Sequence, residues 1–114
     1  MKKKLLFITI AETLMEAIIS GELTSGSQVD SVRDMAVKYK VNPKTIQKAF
    51  EYLESKQIFF TKPGEGRFVT EDETKLQSIK AMLIDEQIDE FISVVSKYDL
   101  STDELIEILK QKLN

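Results

Sequence analysis

Cysteine and histidine are both missing from this chain of 114 residues. Without cysteine the chain can form no disulfide and offers no thiolate to a metal ion. It also lacks the two side chains that most often serve as nucleophile or general base. Carboxylate pairs such as Asp85-Glu86 are most simply a solvated helix face. We therefore expect no catalytic residues, no metal site and no cofactor.

Long apolar runs are missing as well. The N-terminal lysines, Lys2 to Lys4, precede only residues 5–8 before the polar Thr9, which is too short an apolar run for a signal peptide. No segment has the length that is needed to span a bilayer. The lysine run is interpreted as solvated, rather than as an arm that touches phosphates. We expect a cytoplasmic protein with no membrane partner.

Positive charge is scarce over the whole chain but not in its first part. The formal net charge is -3, yet residues 1–70 carry 11 lysines and arginines against 8 acids, whereas residues 71–114 carry 5 against 11. Because local surface charge decides attraction to phosphates, a basic first part is compatible with binding nucleic acid. The change falls at Glu71-Asp72-Glu73, so the sequence predicts two parts, 1–70 and 71–114.

Two helix start signals lie close together in the first part. Ser31, followed by Asp34 three residues later, has the spacing of a capping box. Asn42 suits an N-cap and Pro43 suits the first helical position, which predicts a helix over 43–56. Apolar residues recur at helical spacing in both helices: Val32, Met35, Ala36 and Tyr39, then Ile46, Ala49, Phe50 and Leu53.

A glycine-bent hairpin is predicted directly after these helices, with strands at 58–62 and 67–70 around the turn 63–66. This order of elements is typical of a winged helix-turn-helix, whose second helix enters the major groove of DNA. Its outward residues would read bases, and basic residues at the hairpin tip would contact the backbone. An ordinary solvated helix face is the alternative, and the basic hairpin favours DNA. The candidate residues are Lys44, Thr45, Gln47 and Lys48 on the helix, and Lys62 and Arg67 beside the tip.

The second part is predicted to contain two helices, at about 74–97 and from a capping box at Ser101-Thr102-Asp103-Glu104 onward. The long helix carries two apolar stripes roughly 140° apart at 100° per residue. Two helices of this size cannot bury a core of their own. We expect one stripe to pack on its own subunit and the other to form a twofold homodimer, although both could fold back on one monomer. The stripes are Leu76, Ile79 and Leu83, and Ile84, Ile88, Phe91, Ile92 and Val95.

Residues 7–70 resemble the GntR family of bacterial transcription regulators. The matching residues are Ser20-Gly21-Glu22-Leu23, Gly26, Ser31-Val32-Arg33-Asp34-Met35-Ala36, Val41-Asn42-Pro43-Lys44-Thr45, Ala49, Leu53-Glu54 and Gly64 to Val69. The resemblance implies backbone and base-edge contacts at Ser31 and Arg33, and a wing tip at Gly66. It also implies a recognition face formed by Asn42, Lys44, Thr45, Gln47 and Lys48.

The chain departs from the family pattern at four places. Val29-Asp30 stands where the family usually has Leu-Pro, which puts an acid beside the predicted DNA-facing helix. Lys48 replaces a usual arginine, and lysine gives a point charge instead of a bidentate fork. Lys40 and Gln57 stand just past helix ends where glycine is common, so both are predicted to adopt a left-handed conformation at some cost.

The short second part resembles the YtrA-like branch of the family, whose members are typically dimeric repressors, often of transporter operons. We therefore expect a mostly α fold with a small β-hairpin, a winged helix-turn-helix followed by a two-helix dimerisation segment. The expected function is sequence-specific regulation at a pseudo-palindromic site in double-stranded DNA. The alternative is a winged-helix module that binds protein and does not read DNA. Asp30, Glu65, the acidic second part and the missing arginine at position 48 favour that alternative.

Overall fold

The computed structural model describes residues 4–114, which form five α-helices, a two-stranded sheet and one short 3-10 turn. The elements are α1 (Leu6–Ser20), α2 (Val32–Tyr39), α3 (Pro43–Ser55), β1 (Phe59–Lys62), β2 (Gly66–Val69), α4 (Glu73–Val95), the 3-10 turn Ser96–Tyr98 and α5 (Thr102–Leu113). The predicted fold, a winged helix-turn-helix followed by a helix pair, is confirmed. Most of the N-terminal lysine run lies outside the described residues, and among residues 4–114 no helix is long and apolar enough to cross a membrane.

Helices α2 and α3 begin at the predicted caps. The Ser31 hydroxyl oxygen accepts a hydrogen bond from the Asp34 N–H at 3.0 Å, and the Asn42 Oδ1 accepts one from the Lys44 N–H at 2.8 Å. Each bond satisfies a backbone donor that has no partner inside the helix. Pro43 follows Asn42 as the first residue of α3, where a missing N–H costs nothing.

Helices α2 and α3 also end as predicted, on residues in the left-handed conformation. The φ angles are 55° at Lys40 and 61° at Gln57. After α3, the Ile58 N–H donates to the Leu53 carbonyl and the Gln57 N–H to the Glu54 carbonyl, each at 2.9 Å. This is the Schellman arrangement, which closes a helix and turns the chain sharply. It lets the wing start directly behind α3.

The buried face of α3 forms the centre of the hydrophobic core. Its four apolar residues are Ile46, Ala49, Phe50 and Leu53, and each is 0% exposed. Residues Ile10, Leu14 and Ile18 of α1 pack against the same cluster, together with Met35 and Ala36 of α2. The rings of Phe50 and Phe59 meet edge to face at 5.6 Å, which adds a favourable quadrupole contact between α3 and the wing.

The wing is an antiparallel hairpin with a third short segment beside it. The register pairs Phe59 with Val69, Phe60 with Phe68, Thr61 with Arg67, and Lys62 with Gly66. On the open edge of β2, the Val29 N–H donates to the Arg67 carbonyl at 2.8 Å and the Val69 N–H to the Ser27 carbonyl at 3.0 Å. The segment that leads into α2 is therefore hydrogen-bonded to the wing.

The first apolar stripe of α4 belongs to the core, as predicted. Ile79 is buried, and Leu76 and Leu83 are partly buried against the core cluster. By packing, the chain forms one compact unit that ends at Leu83 and a second unit, Ile84–Asn114. It remains a prediction that residues 1–70 bind DNA and that residues 71–114 form the dimer.

In the second unit, α5 begins with the predicted capping box. The Ser101 hydroxyl accepts from the Glu104 N–H, and the Glu104 carboxylate accepts from the Ser101 N–H, both at 3.1 Å. The bonds from the Ser101 backbone and side chain lower the pKa of Glu104. None of the residues in 84–114 is buried, so this second unit has no core of its own.

Replacing Gln57 with glycine is expected to stabilise the protein by about 0.5–1 kcal/mol, because glycine adopts a positive φ without the clash that a Cβ causes. Urea denaturation with an unchanged m-value measures the effect. Lys56→Gly is the matched control, since the φ of Lys56 is -92°, and it is expected to destabilise. An equal shift in both variants would contradict this explanation.

Candidate nucleic-acid interface

The first turn and a half of α3 presents the predicted recognition face, here also called the reading face, on the side opposite its buried residues. Lys44 and Lys48 are exposed, whereas Thr45 and Gln47 are half-buried. All four side chains can donate hydrogen bonds, and glutamine and threonine can also accept them. The Gln47 Nε2 donates to the Glu51 Oε1 at 3.1 Å. Glu51 therefore orients the Gln47 amide.

The start of α2 adds two more predicted residues. Ser31 and Arg33 are both exposed on its first turn, and Asp30 is exposed immediately before them. The Ser31 oxygen already accepts from the Asp34 N–H, so its O–H remains able to donate to an anion. The N-terminal end of a helix also carries a partial positive charge. At this position Ser31 and Arg33 can both donate hydrogen bonds to a phosphate of the DNA backbone.

The wing tip is a tight turn in which Gly66 is required. Its φ is 115°, and a Cβ at this position would lie 2.8 Å from the Gln28 Nε2. That same nitrogen donates to the Glu65 carbonyl at 2.8 Å, while the Glu65 N–H donates to the Lys62 carbonyl at 2.9 Å. The tip is thus held from both sides.

Lys62 lies on the outer face of the wing. Its Nζ is 4.5 Å from the ring centroid of Phe68, and the rings of Phe68 and Phe60 are stacked at 6.0 Å. The contact is a cation–π interaction, which leaves the ammonium group at the surface. Lys62 is exposed and can reach an external phosphate.

Arg67 points away from Lys62, although both were predicted beside the tip. Neighbouring cross-strand pairs face opposite sides of a sheet, so Thr61 and Arg67 lie on the inner face. The Arg67 Nε donates to the Glu54 Oε1 at 2.7 Å, and its Cζ is 5.2 Å from the ring centroid of Phe50. The side chain keeps 26% of its surface exposed. Arg67 is therefore packed against α3.

A groove of about 380 Å³ runs between the start of α2 and the wing. It brings together three predicted residues, Ser31, Gly66 and Arg67, with Asp30 and Thr61 on its lining. Within residues 4–114, no group of three or more acidic side chains is arranged to hold a metal ion. The groove and the outer face of α3 are both polar surfaces of the winged helix-turn-helix.

Three residues of this surface carry roles that the sequence did not reveal: Gln28, Glu51 and Glu54. The bond from Gln47 to Glu51 spans four residues on one helix face, so helical spacing could have indicated it. The bonds of Gln28 and Glu54 to the wing span 37 and 13 residues. No local pattern signals contacts at such separations.

Comparison with known proteins agrees with this architecture. Residues 8–69 match the family described as bacterial regulatory proteins, gntR family. The transcriptional regulator YhcF of Bacillus subtilis is 31% identical over 107 residues, which cover 94% of this chain and 88% of YhcF. The repressor YtrA of the same organism is 29% identical over 103 residues, covering 90% of this chain and 79% of YtrA.

A solved structure extends the similarity to nearly the whole chain. The GntR family transcriptional regulator from Listeria monocytogenes superposes with a TM-score of 0.84 at 30% identity, and the match covers 97% of each chain. The relatives include a regulator named YtrA. The resemblance inferred from the residues is confirmed: this chain belongs to the GntR family and is a transcription regulator of the YtrA-like kind.

Proposed function

We propose that the protein is a dimeric, sequence-specific repressor that binds a pseudo-palindromic operator. The observation that carries this proposal is the geometry of α3. One face is completely buried, and the opposite face presents four hydrogen-bond donors within a turn and a half of a capped N-terminus. A helix held in this way can enter the major groove with its side chains toward the base edges.

Base reading is assigned to the outer face of α3. The Gln47 amide has the donor and acceptor pair that recognises adenine, and the Thr45 methyl suits the methyl group of thymine. Lys44 and Lys48 can donate to guanine or to phosphates. Asn42 stands at the cap between this face and α2. The sequence-predicted base-reading set is Asn42, Lys44, Thr45, Gln47 and Lys48.

Backbone positioning is assigned to the elements on either side of α3. Ser31 and Arg33 at the start of α2 and Lys62 on the wing are exposed and can contact phosphates. Gly66 is the wing-tip residue of the predicted set, and its φ of 115° shapes the turn that follows Lys62. Acids in this region, including Asp30, would repel phosphates and so restrict contact to the stretch of DNA backbone that these donors reach.

Dimerisation is assigned to the second apolar stripe of α4. Ile84, Ile88, Phe91 and Ile92 keep 40–50% of their surface exposed, and Val95 is half-buried. Since none of residues 84–114 is buried, pairing with a second copy would cover the apolar side chains of this unit. A twofold pair would present two α3 helices about 34 Å apart, which is one turn of DNA.

Repression is the regulatory direction that the relatives support, since YtrA of Bacillus subtilis is named as a repressor. A dimer bound across a promoter would exclude RNA polymerase. Repression of this kind needs no domain that recruits the polymerase. The resemblance to the YtrA-like branch extends the proposal to operators of transporter operons. Such a protein would act in the cytoplasm as a binding protein rather than an enzyme.

Selection of bound sequences from a random duplex pool tests the proposal directly. We expect enrichment of an inverted repeat with half-site centres about 10 base pairs apart. Failure to enrich any sequence would overturn sequence-specific reading. Binding to another protein with no dependence on salt, instead of to DNA, would support the protein-interaction module.

Lys48→Ala is expected to weaken operator binding by about 1–3 kcal/mol, because it removes a charged donor from the reading face. Fluorescence anisotropy over a salt series measures both the affinity and its salt dependence. Lys110→Ala, the same change on α5, is the matched control and should leave affinity unchanged. Equal losses in the two variants would assign the effect to overall charge.

Phe91→Asp is expected to convert the dimer to a monomer at a protein concentration at which the unchanged chain is dimeric, because it buries an unpaired charge in the proposed interface. Analytical ultracentrifugation measures the mass. Ser93→Asp places the same charge about 200° away around α4 and should leave the dimer intact. An unchanged mass for Phe91→Asp would reject this stripe as the interface.

A further inference from the structure

Both carboxylate oxygens of Glu54 are used by the wing. The Glu54 Oε1 accepts from the Arg67 Nε at 2.7 Å, and the Glu54 Oε2 accepts from the Thr61 hydroxyl at 2.9 Å. Thr61 and Arg67 are cross-strand partners on β1 and β2. A single side chain of α3 therefore holds both strands of the hairpin at the same level. A hairpin register shifted by one residue would place the two donors on opposite faces of the sheet, so that Glu54 could not bind both.

The Arg67 side chain is enclosed on the α3 side. Its Cζ lies 5.2 Å from the Phe50 ring centroid, and Phe50 and Glu54 are one helical turn apart on the same face of α3. The ion pair is only partly exposed, at 26% for Arg67 and 29% for Glu54. Partial burial strengthens such a pair relative to one in full solvent. The carbonyl of Arg67 is also used, by the Val29 N–H.

From these contacts we propose that Glu54 is a positioning residue that fixes the wing relative to the reading helix, and that Arg67 anchors the wing instead of contacting phosphate. The inference rests on the proposed DNA-binding function. The three contacts join α3 and the wing, so that Lys48 and Lys62 are presented to one duplex in a fixed relation. This assigns to Arg67 a different role from the DNA contact that its position beside the tip predicts.

The charge of Glu54 sharpens this distinction. A carboxylate near the duplex repels phosphates unless a cation neutralises it. If Arg67 turned to a phosphate, Glu54 would remain as an unpaired acid at the base of the wing. With Arg67 on Glu54, the pair is neutral and Lys62 is the cation that the wing offers to the backbone.

Operator affinity distinguishes positioning from charge. Glu54→Gln removes a negative charge near DNA, so simple electrostatics would raise affinity. Positioning predicts the opposite sign, a loss of about tenfold, which corresponds to about 1.4 kcal/mol. Glu65→Gln is the matched control, because it removes the same charge from the exposed wing tip and should raise affinity slightly. Increased affinity in both variants would overturn the positioning role.

The salt dependence of binding separates an anchor from a phosphate contact. Lys62→Ala should reduce the slope of log affinity against log salt by about 1, the change that follows from losing one phosphate contact. Arg67→Ala should weaken binding with the slope unchanged. A slope reduced by about 1 in Arg67→Ala would show that Arg67 touches phosphate and would overturn its role as an anchor.

The contacts of Glu54 with Thr61 and Arg67, here called the clamp, can also be tested without DNA, even if the chain proves to bind no duplex. Thermal unfolding of Glu54→Gln, Arg67→Ala and the double variant forms a double-mutant cycle. Each single change should lower Tm by about 4–8 °C, and the double variant should be little worse than either. Strictly additive shifts would reject the clamp. A coupled cycle with no enriched operator would instead leave the clamp in place and reject only the proposed function.

Discussion

Complete burial of one face of α3 is the constraint on which the rest of the structure depends. Ile46, Ala49, Phe50 and Leu53 are each inaccessible to solvent, so the helix cannot rotate about its axis without exposing apolar surface. Each of these side chains is worth about 1.5–3 kcal/mol of burial, except the smaller alanine. The opposite face is fixed outward as a result, and α1, α2 and the wing all pack on the same helix.

Two acids of α3 interact with neighbouring side chains, which helps to explain how a chain of net charge -3 can offer a surface to phosphates. Glu51 accepts a hydrogen bond from Gln47, and Glu54 is paired with Arg67. Both acids lie on α3 toward its C-terminal half, while Lys44 and Lys48 lie toward its N-terminal half. Charge is thus sorted along one helix. The net charge of the chain therefore says little about this surface.

Much of the fold was predictable because its signals are local. The caps at Ser31 and Asn42 and the left-handed residues Lys40 and Gln57 act within four or five residues of the chain. The orientation of Arg67 was not predictable, because it depends on the hairpin register. Residues that flank a turn symmetrically in sequence face the same side only if they pair with each other, and here Gly66 is the partner of Lys62.

The two stripes of α4 explain why the proposed dimer and its operator should act together. Half-exposed side chains such as Ile88 and Phe91, four on each of two copies, would gain about 6–12 kcal/mol on burial. The freedom lost on association costs about 4–15 kcal/mol, which is of the same order. Such a pair is weak in isolation. DNA that holds both α3 helices adds its binding energy to the same equilibrium, so occupancy of the operator would rise steeply with protein concentration.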